Sequence, residues 1–575
     1  MRIIKWLLLV PSLLLADPEE EGIRRVNAHL LIEDPKSALR EAKELYRSYD
    51  GSRSTGSALI AAYSANGMEE SALELFNHLS LKYPDLIEDR NVLEELAWGV
   101  LVRGLESTQY GIRLAALIGS YLTRDVRAVK LLVRMMRDTN AVVRTVAVQM
   151  AATYGDAALK DEIARLMDEE KIWLVRLEVI RAAGHLRMKS LEPKFKSILS
   201  SEKNTIEERR AAIEALVFLN EDIGFEEWRS LAKSDRAGLR HFACILAAHL
   251  NLKEAKDEIV RLSEDTHPDV RIAALNALGL CYLKDLDPAL ALQIAERGEK
   301  DSHPAVAITC AWFYTLIDPE KAFPQFDRWL KSTVPEDRRF AAAALAASGQ
   351  RAAPFAARVL KESSDPYVRA NVAIGLIGQR RDAESSCDTL YRFLKEERRM
   401  VMLENKANPL FQVLSPSYVR HIDQIPNYPE AIDQMTRLNL LSLLAVLEDP
   451  RAEEAIKGFL QRKTWGITGA AAATLLQEGD GSTLDLVRSL IEDPDPNVRL
   501  QACLVLAMLG RDESVLLDLQ KNYTLSDHEQ KLHILEALGR IGKEESFSFF
   551  LSVLQEPFQI LRVAAASGLI QGLNR

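Results

Sequence analysis

An arginine returns about every 31 residues along most of this chain, each time followed by the same spacing of small and apolar residues. Arg113, Arg144, Arg176, Arg209, Arg240, Arg271, Arg338, Arg369, Arg437, Arg499 and Arg562 mark the repeat, and Ala307, Thr468 and Lys531 hold the same place in weaker copies. The intervals are 31, 32, 33, 31, 31, 36, 31, 31, 68, 31, 31, 32 and 31 residues. The clearest copies are DTHPDVRIAALNALG from Asp265, DPDPNVRLQACLVLAMLG from Asp493 and DTNAVVRTVAVQMAATYG from Asp138. A fixed period of this length means that a repeat buries its apolar face only by stacking on its neighbours. A chain of 575 residues then needs no single large core, because a stack adds core linearly.

Each repeat reads as two antiparallel helices. Around Arg271 the first helix is expected over Leu252–Ser263, a turn over Glu264–Pro268, and a second helix ending at a capping Gly279. Alanine stands three residues after the arginine in Ala116, Ala147, Ala212, Ala243, Ala274, Ala341, Ala502 and Ala565, where a small side chain lets helices approach closely. The next position is apolar (Leu117, Val148, Ile213, Leu275, Leu535) and belongs to the core.

These residues resemble HEAT repeats, in particular the short bacterial HEAT-like repeats shared with phycobilin lyases. The resemblance spans roughly residues 95–575. It implies an all-α fold, an alpha-alpha superhelix of the armadillo/HEAT-like solenoid type. It also implies a ladder between neighbouring repeats, made by the turn aspartate and the arginine that opens the second helix. Asp138, Asp265, Asp301, Asp365 and Asp493 match the aspartate, and Arg144, Arg271, Arg369 and Arg499 are among the matching arginines. An aspartate before a helix also caps free N–H groups, so the arginine row reads as structural.

Residues 17–94 are helical but out of phase. Leu59, Tyr63, Gly67, Ala72, Phe76 and Pro84 are similar in spacing to a tetratricopeptide repeat, whose simplest role is to cap one end of the stack. HEAT-like repeats then occupy 95–378 and 437–575, separated by irregular repeats at 379–436. The 68-residue interval fits two repeats with about six extra residues. Pro409, Pro416, Pro426 and Pro429 interrupt it, and the stretch from Asn408 to Pro429 is apolar and aromatic. Loops that break a regular scaffold often carry function.

Residues 1–16, MRIIKWLLLVPSLLLA, have the layout of a signal peptide: Arg2 and Lys5, an apolar run of ten, and an acidic stretch beyond Ala16. The run is too short to span a bilayer, and Leu14 departs from the small residue a cleavage site prefers. Export is expected, with the periplasm first and a secreted or cytoplasmic place as alternatives. A net charge of −10 disfavours nucleic acid. Five scattered cysteines make no disulfide framework or zinc spacing. Cys244, Cys310 and Cys503 fall at core positions.

The sequence offers little chemistry. His267 and His303 precede proline in equivalent turns one layer apart, too far to share a metal. Only His528–Glu529 matches the His-Glu pairs that a HEAT-like hydroxylase would need. No catalytic residue, metal or cofactor is expected. Binding falls to helix positions outside the core stripe. Trp312, with His241, Phe242, Arg339 and Phe340, forms a candidate aromatic-basic patch, although Phe242 and Phe340 also suit gap-filling between layers. Phe411, Tyr418 and Tyr428 are candidates in the irregular stretch, whereas Trp173, Trp228 and Trp465 at helix starts read as packing. The reading is a non-enzymatic, exported scaffold for a protein partner, with membrane contact only by association. The alternatives are an envelope-assembly factor holding a cell-wall or outer-membrane component, and a lyase-like HEAT-repeat enzyme. A bare C-terminal end at Leu569–Arg575 leaves self-association open.

Overall fold

The computed structural model describes residues 18–575 apart from 202, 222, 396–398, 418–427, 446, 448, 453, 456–486 and 511. Residues 1–16, Trp465 and Thr468 therefore lie outside the described residues. The described helices begin with α1 (Pro18–Leu31), α2 (Pro35–Ser48), α3 (Arg53–Ala65), α4 (Glu69–Lys82) and α5 (Arg90–Leu105). They continue as α6 (Tyr110–Leu122), α7 (Arg127–Met135), α8 (Ala141–Ala151), α9 (Ala157–Glu169), α10 (Trp173–His185), α11 (Glu192–Leu199) and α12 (Ile206–Leu219). Next come α13 (Phe225–Ala232), α14 (Ala237–Leu250), α15 (Lys256–Leu262), α16 (Pro268–Ala277), α17 (Pro288–Gly298), α18 (Pro304–Ile317), α19 (Pro319–Leu330), α20 (Pro335–Ala346), α21 (Ala353–Glu362), α22 (Pro366–Gly378) and α23 (Ala383–Lys395). After a hairpin of β1 (Met400–Glu404) and β2 (Gln412–Pro416), the chain resumes with α24 (Tyr428–Ala445), α25 (Pro496–Gly510), α26 (Leu516–Tyr523), α27 (His528–Ile541), α28 (Phe547–Val553) and α29 (Gln559–Leu573).

The protein is an all-α solenoid of stacked helix pairs. The predicted alanines Ala116, Ala147, Ala212, Ala243, Ala274, Ala341 and Ala565 are fully buried, as close helix approach requires. Cys244, Cys310, Cys387 and Cys503 are buried too, while Cys281 is half-buried and donates to the Ala248 carbonyl.

Two local expectations differ from the structure. Gly279 does not cap a helix: the chain continues from α16 through a π-helical turn at Leu278–Tyr282. The extra residues of that turn fall within the 36-residue interval. A Cβ at Gly279 would meet the Trp312 ring at 2.7 Å, so the glycine serves close packing rather than a left-handed turn. Gly155 and Gly542 do take positive φ after their helices. The second difference is the 68-residue interval. Its described residues hold α23 and α24 with the β-hairpin between them, where two repeats with about six extra residues were expected.

Two compact units make up the molecule. The terminal unit comprises Met1–Arg165, Glu170–Val175 and Leu506–Arg575, and the central unit Leu166–Glu169 and Arg176–Val505. Within the terminal unit, α29 packs against α5 and α6 as well as α27. The C-terminal end is therefore not bare. Leu561, Leu569 and Ile570 are fully buried, and the Asn574 amide donates to the Thr123 carbonyl at 3.0 Å. Gly104 makes room for this contact, since a Cβ there would lie 2.8 Å from Val563. The physical reason for expecting self-association through this end is thus removed.

Candidate interaction surfaces

The arginine row forms the expected ladder, with a fuller geometry than the resemblance implied. In Arg271 one guanidinium nitrogen donates to the Asp265 and Thr266 carbonyls of its own turn at 2.8 and 3.1 Å. The other two reach Asp301 of the next repeat at 2.8 and 2.9 Å. Arg113 with Asp138 and Arg240 with Asp265 reach the next aspartate in the same way, Arg338 reaches Asp365 through its Nε, and Glu170 replaces the aspartate for Arg144. Burial alone would raise the Asp138 and Asp265 carboxyls, but the arginine bonds outweigh it and hold both below the usual range. Asp365 also caps α22, accepting from Tyr367 and Val368 N–H. Asp138 and Asp265 instead hold turn amides, at Asn140 and His267. Arg499 keeps the bonds to its own turn, at Asp493 and Pro494. The Arg369 Nε is buried without a hydrogen-bond partner among the described residues. For Arg562 the acid is Glu69 at the start of α4, at 2.8 Å.

The candidate aromatic patch lies in the central unit. Trp312 is 3 % exposed, Phe340 4 %, Arg339 7 % and Phe411 1 %. The hairpin brings three of them together: the Phe411 ring sits 5.7 Å from both the Trp312 and the Phe340 ring centroids. Arg339 donates to the Pro335 carbonyl and lies over the Tyr367 ring. His241 is separate. Burial pushes its imidazole down to about 4, opposed by nearby Asp269 and reinforced by His267, Arg210 and Arg209. Tyr418 lies outside the described residues, and Tyr428 opens α24 with its side chain undescribed.

Polar contacts that the sequence reading missed fix the hairpin. Asn408 is fully buried and exchanges amide hydrogen bonds with Asn276 of α16 at 3.0 and 3.1 Å, with a third bond to Thr309 of α18. Asn371 of α22 donates to the Leu414 carbonyl and accepts from its N–H, at 2.9 and 2.8 Å. Arg210 of α12 donates to the Lys406 carbonyl. The chain's own insertion thus covers these second-helix positions. A small cavity of about 200 Å³ remains beside it, lined by Ala343, Ile374, Gly375, Met402 and Leu410 among others.

The terminal unit differs. Tyr110, Val142, Ile172, Trp173 and Leu174 sit at or just before the starts of α6, α8 and α10 and are 54, 42, 48, 45 and 40 % exposed. Trp173 is therefore only partly covered, whereas Trp228 is fully buried with its indole N–H on the Ala243 carbonyl. In the central unit α16, α18, α20 and α22 begin instead with Pro268, Pro304, Pro335 and Pro366, while α12 and α14 begin with Ile206 and Ala237. His267 and His303 are the residues preceding two of these helices, as expected for turn residues. Among the described residues no cluster of His, Cys, Asp and Glu could hold a metal ion, and no helix is long and apolar enough to cross a membrane.

A family model for HEAT repeats matches residues 484–570. No curated protein matches the chain in sequence. Among solved structures, one of Kap95p with RanGDP is 12% identical, with 94% of this chain and 87% of that one covered and a TM-score of 0.36. The CpcE–CpcF phycocyanin lyase complex from Nostoc is 14% identical, covering 46% of this chain and 92% of that one at a TM-score of 0.26. Human deoxyhypusine hydroxylase is 15% identical, with 44% and 96% covered and a TM-score of 0.20. The HEAT-repeat match thus falls on residues 484–570, and the arginine ladder and stacked helix pairs carry the same repeat pattern through the other described repeats.

Proposed function

We propose that the protein is a non-enzymatic, exported scaffold that docks a protein partner on the row of helix starts in the terminal unit. The observation that carries this is the exposure of Tyr110, Val142, Ile172, Trp173 and Leu174 on three successive repeats. Exposed aromatic and branched side chains gathered on a rigid framework are the usual anchors of a protein interface. A catalytic reading finds less support. Burial pushes the Cys310 thiol up to about 12 and the Cys244 thiol higher still, which leaves neither as a nucleophile. His267 and His303 serve helix starts. Export is supported by residues 1–16 alone, and the periplasm is the compartment that fits them best.

The experiment is crosslinking in the native cells, followed by recovery from separated cytoplasmic and envelope fractions, with the natural chain and with Trp173→Ser. A protein recovered reproducibly from the envelope fraction and lost with Trp173→Ser supports the reading. Recovery unaffected by the substitution removes the helix-start row from it. A cytoplasmic protein carrying a small-molecule adduct overturns it in favour of a lyase-like enzyme. Trp312 is the wrong residue to test, because its burial makes any substitution a packing defect first.

A further inference from the structure

The two edges of the hairpin are chemically different. Ser417 N–H donates to the Arg399 carbonyl, and Asn405 N–H to that of Phe411. With the register Met402↔Leu414 and Leu403↔Val413, residues 401 and 403 face β2, while the N–H and C=O of 400, 402 and 404 point outward from β1. On the far side of β2 the equivalent groups of Leu414 are both taken by Asn371, whose side chain imitates the amide of a further strand. Pro416 has no N–H to offer there. β2 is the strand that contacts α20 and α22, whereas β1 contacts α24. The first outward N–H of β1, at Met400, is bonded to Asp433. Those of Met402 and Glu404, with their carbonyls, have no partner among the described residues. Beside them Leu403 is 57 % exposed. β1 carries no proline or lysine, the residues that usually protect such an edge.

We propose that the outer edge of β1, at Met402–Glu404, receives an extended apolar and basic peptide segment of a partner protein, which adds to the hairpin as a third strand. This deepens the protein-binding reading and rests on it. Two outward N–H groups and two outward carbonyls at strand spacing are complementary to another extended backbone. Leu403 calls for an apolar side chain opposite it. The Glu404 carboxylate is 56 % exposed and meets only a distant Arg210 at 3.8 Å, so it favours a cation on the alternate face. Alternation of side chains along a strand lets one peptide meet both requirements.

The probe is a labelled eight-residue peptide of alternating lysine and valine, titrated against the full chain and followed by fluorescence anisotropy. Its control is the same peptide N-methylated on the residues whose N–H would face β1. The expected result is binding near a dissociation constant of about 100 µM, weakened at least about tenfold by N-methylation and by Met402→Pro. Proline at 402 removes an outward N–H without removing a β1–β2 ladder bond. Should Met402→Pro disturb folding, Leu403→Ser keeps the backbone and is expected to weaken binding several-fold with the melting temperature unchanged. Equal binding of the N-methylated peptide, or affinity indifferent to both substitutions, overturns the proposal. Absence of peptide binding alongside Trp173-dependent capture of a partner overturns the strand addition while leaving the scaffold reading in place.

Discussion

The terminal and central units solve different problems with the same repeat. In the terminal unit the problem is to cover α29. It buries Leu561, Leu569 and Ile570 by lying on α5 and α6, with Arg562 paired to Glu69. In the central unit the problem is the second-helix face around Trp312 and Phe340, and an insertion fills it. The first solution leaves apolar residues partly exposed on the helix starts. The second buries the aromatic residues and leaves a strand edge instead. Conspicuous residue types therefore do not mark a binding surface by themselves; what packs on them decides.

The comparison breaks most severely if α29 is removed. A chain ending at Glu556 loses several fully buried apolar side chains, each worth about 2–5 kcal/mol, a sum that exceeds the stability of an ordinary domain. Hydrogen exchange is expected to show the terminal unit unprotected and the central unit retained. Protected amides in α5 and α6 would show the end contact to be dispensable. Next is Phe411→Ala, with a cost of about 3–5 kcal/mol confined to the central unit. Its signature is fast exchange at 401, 403, 413 and 415 with the terminal unit unchanged.

Glu69→Gln and Asp301→Asn sharpen the comparison by asking whether the end-to-end pair equals a ladder pair. Both arginine partners are mostly buried, so each substitution is expected to cost about 1–3 kcal/mol. Matching shifts in urea midpoint would make Glu69 a true ladder residue. An effect near zero for Glu69 alone would make it incidental.

Acid separates the units more gently. The His241 imidazole, lowered to about 4, stays neutral in the folded central unit while an unfolded histidine takes up a proton near its ordinary value of 6.5. The unfolded state then binds more protons, so stability falls as pH drops from about 6.5 to 4, by about 1–3 kcal/mol. The Glu162 carboxylate of the terminal unit runs the other way in origin. Burial would raise it, but Arg137 and Arg165 hold it at about 2, so its contribution is present at neutral pH and is lost only below the ordinary carboxylate range. Denaturation followed between pH 7 and pH 4 is expected to weaken the central unit, and His241→Gln to remove that loss. The smallest effect on stability is expected for Trp173→Ala, within about 0.5 kcal/mol, although partner capture should fall. A large drop in melting temperature there would mean that Trp173 packs after all.

Local features were legible and long-range ones were not. The helix pairs, the buried alanines and the Arg271–Asp301 type of bond all follow from a pattern that recurs within one or two repeats. Gly279 misled, because a glycine after an apolar stripe usually ends a helix, and only the presence of the Trp312 ring shows why it is glycine here. Trp173 misled in the opposite sense, since its place at a helix start does not say what lies above it. The interval after Arg369 was read as two repeats with about six extra residues, and its hairpin went unseen. The segments MVMLE and QVLSP are too short to declare themselves strands without the partner that pairs them.

The sequence by itself determined the repeat, its handover from helix to helix and the salt-bridged spine, because each depends on residues within about 30 positions of one another. Only the tertiary structure decided what covers the faces and ends. Asn408 finds Asn276 across 132 positions and Arg562 finds Glu69 across 493. No periodicity encodes such pairs; they form where stacking has already brought the surfaces together and where a buried amide or carboxylate left unpaired would cost more than the contact.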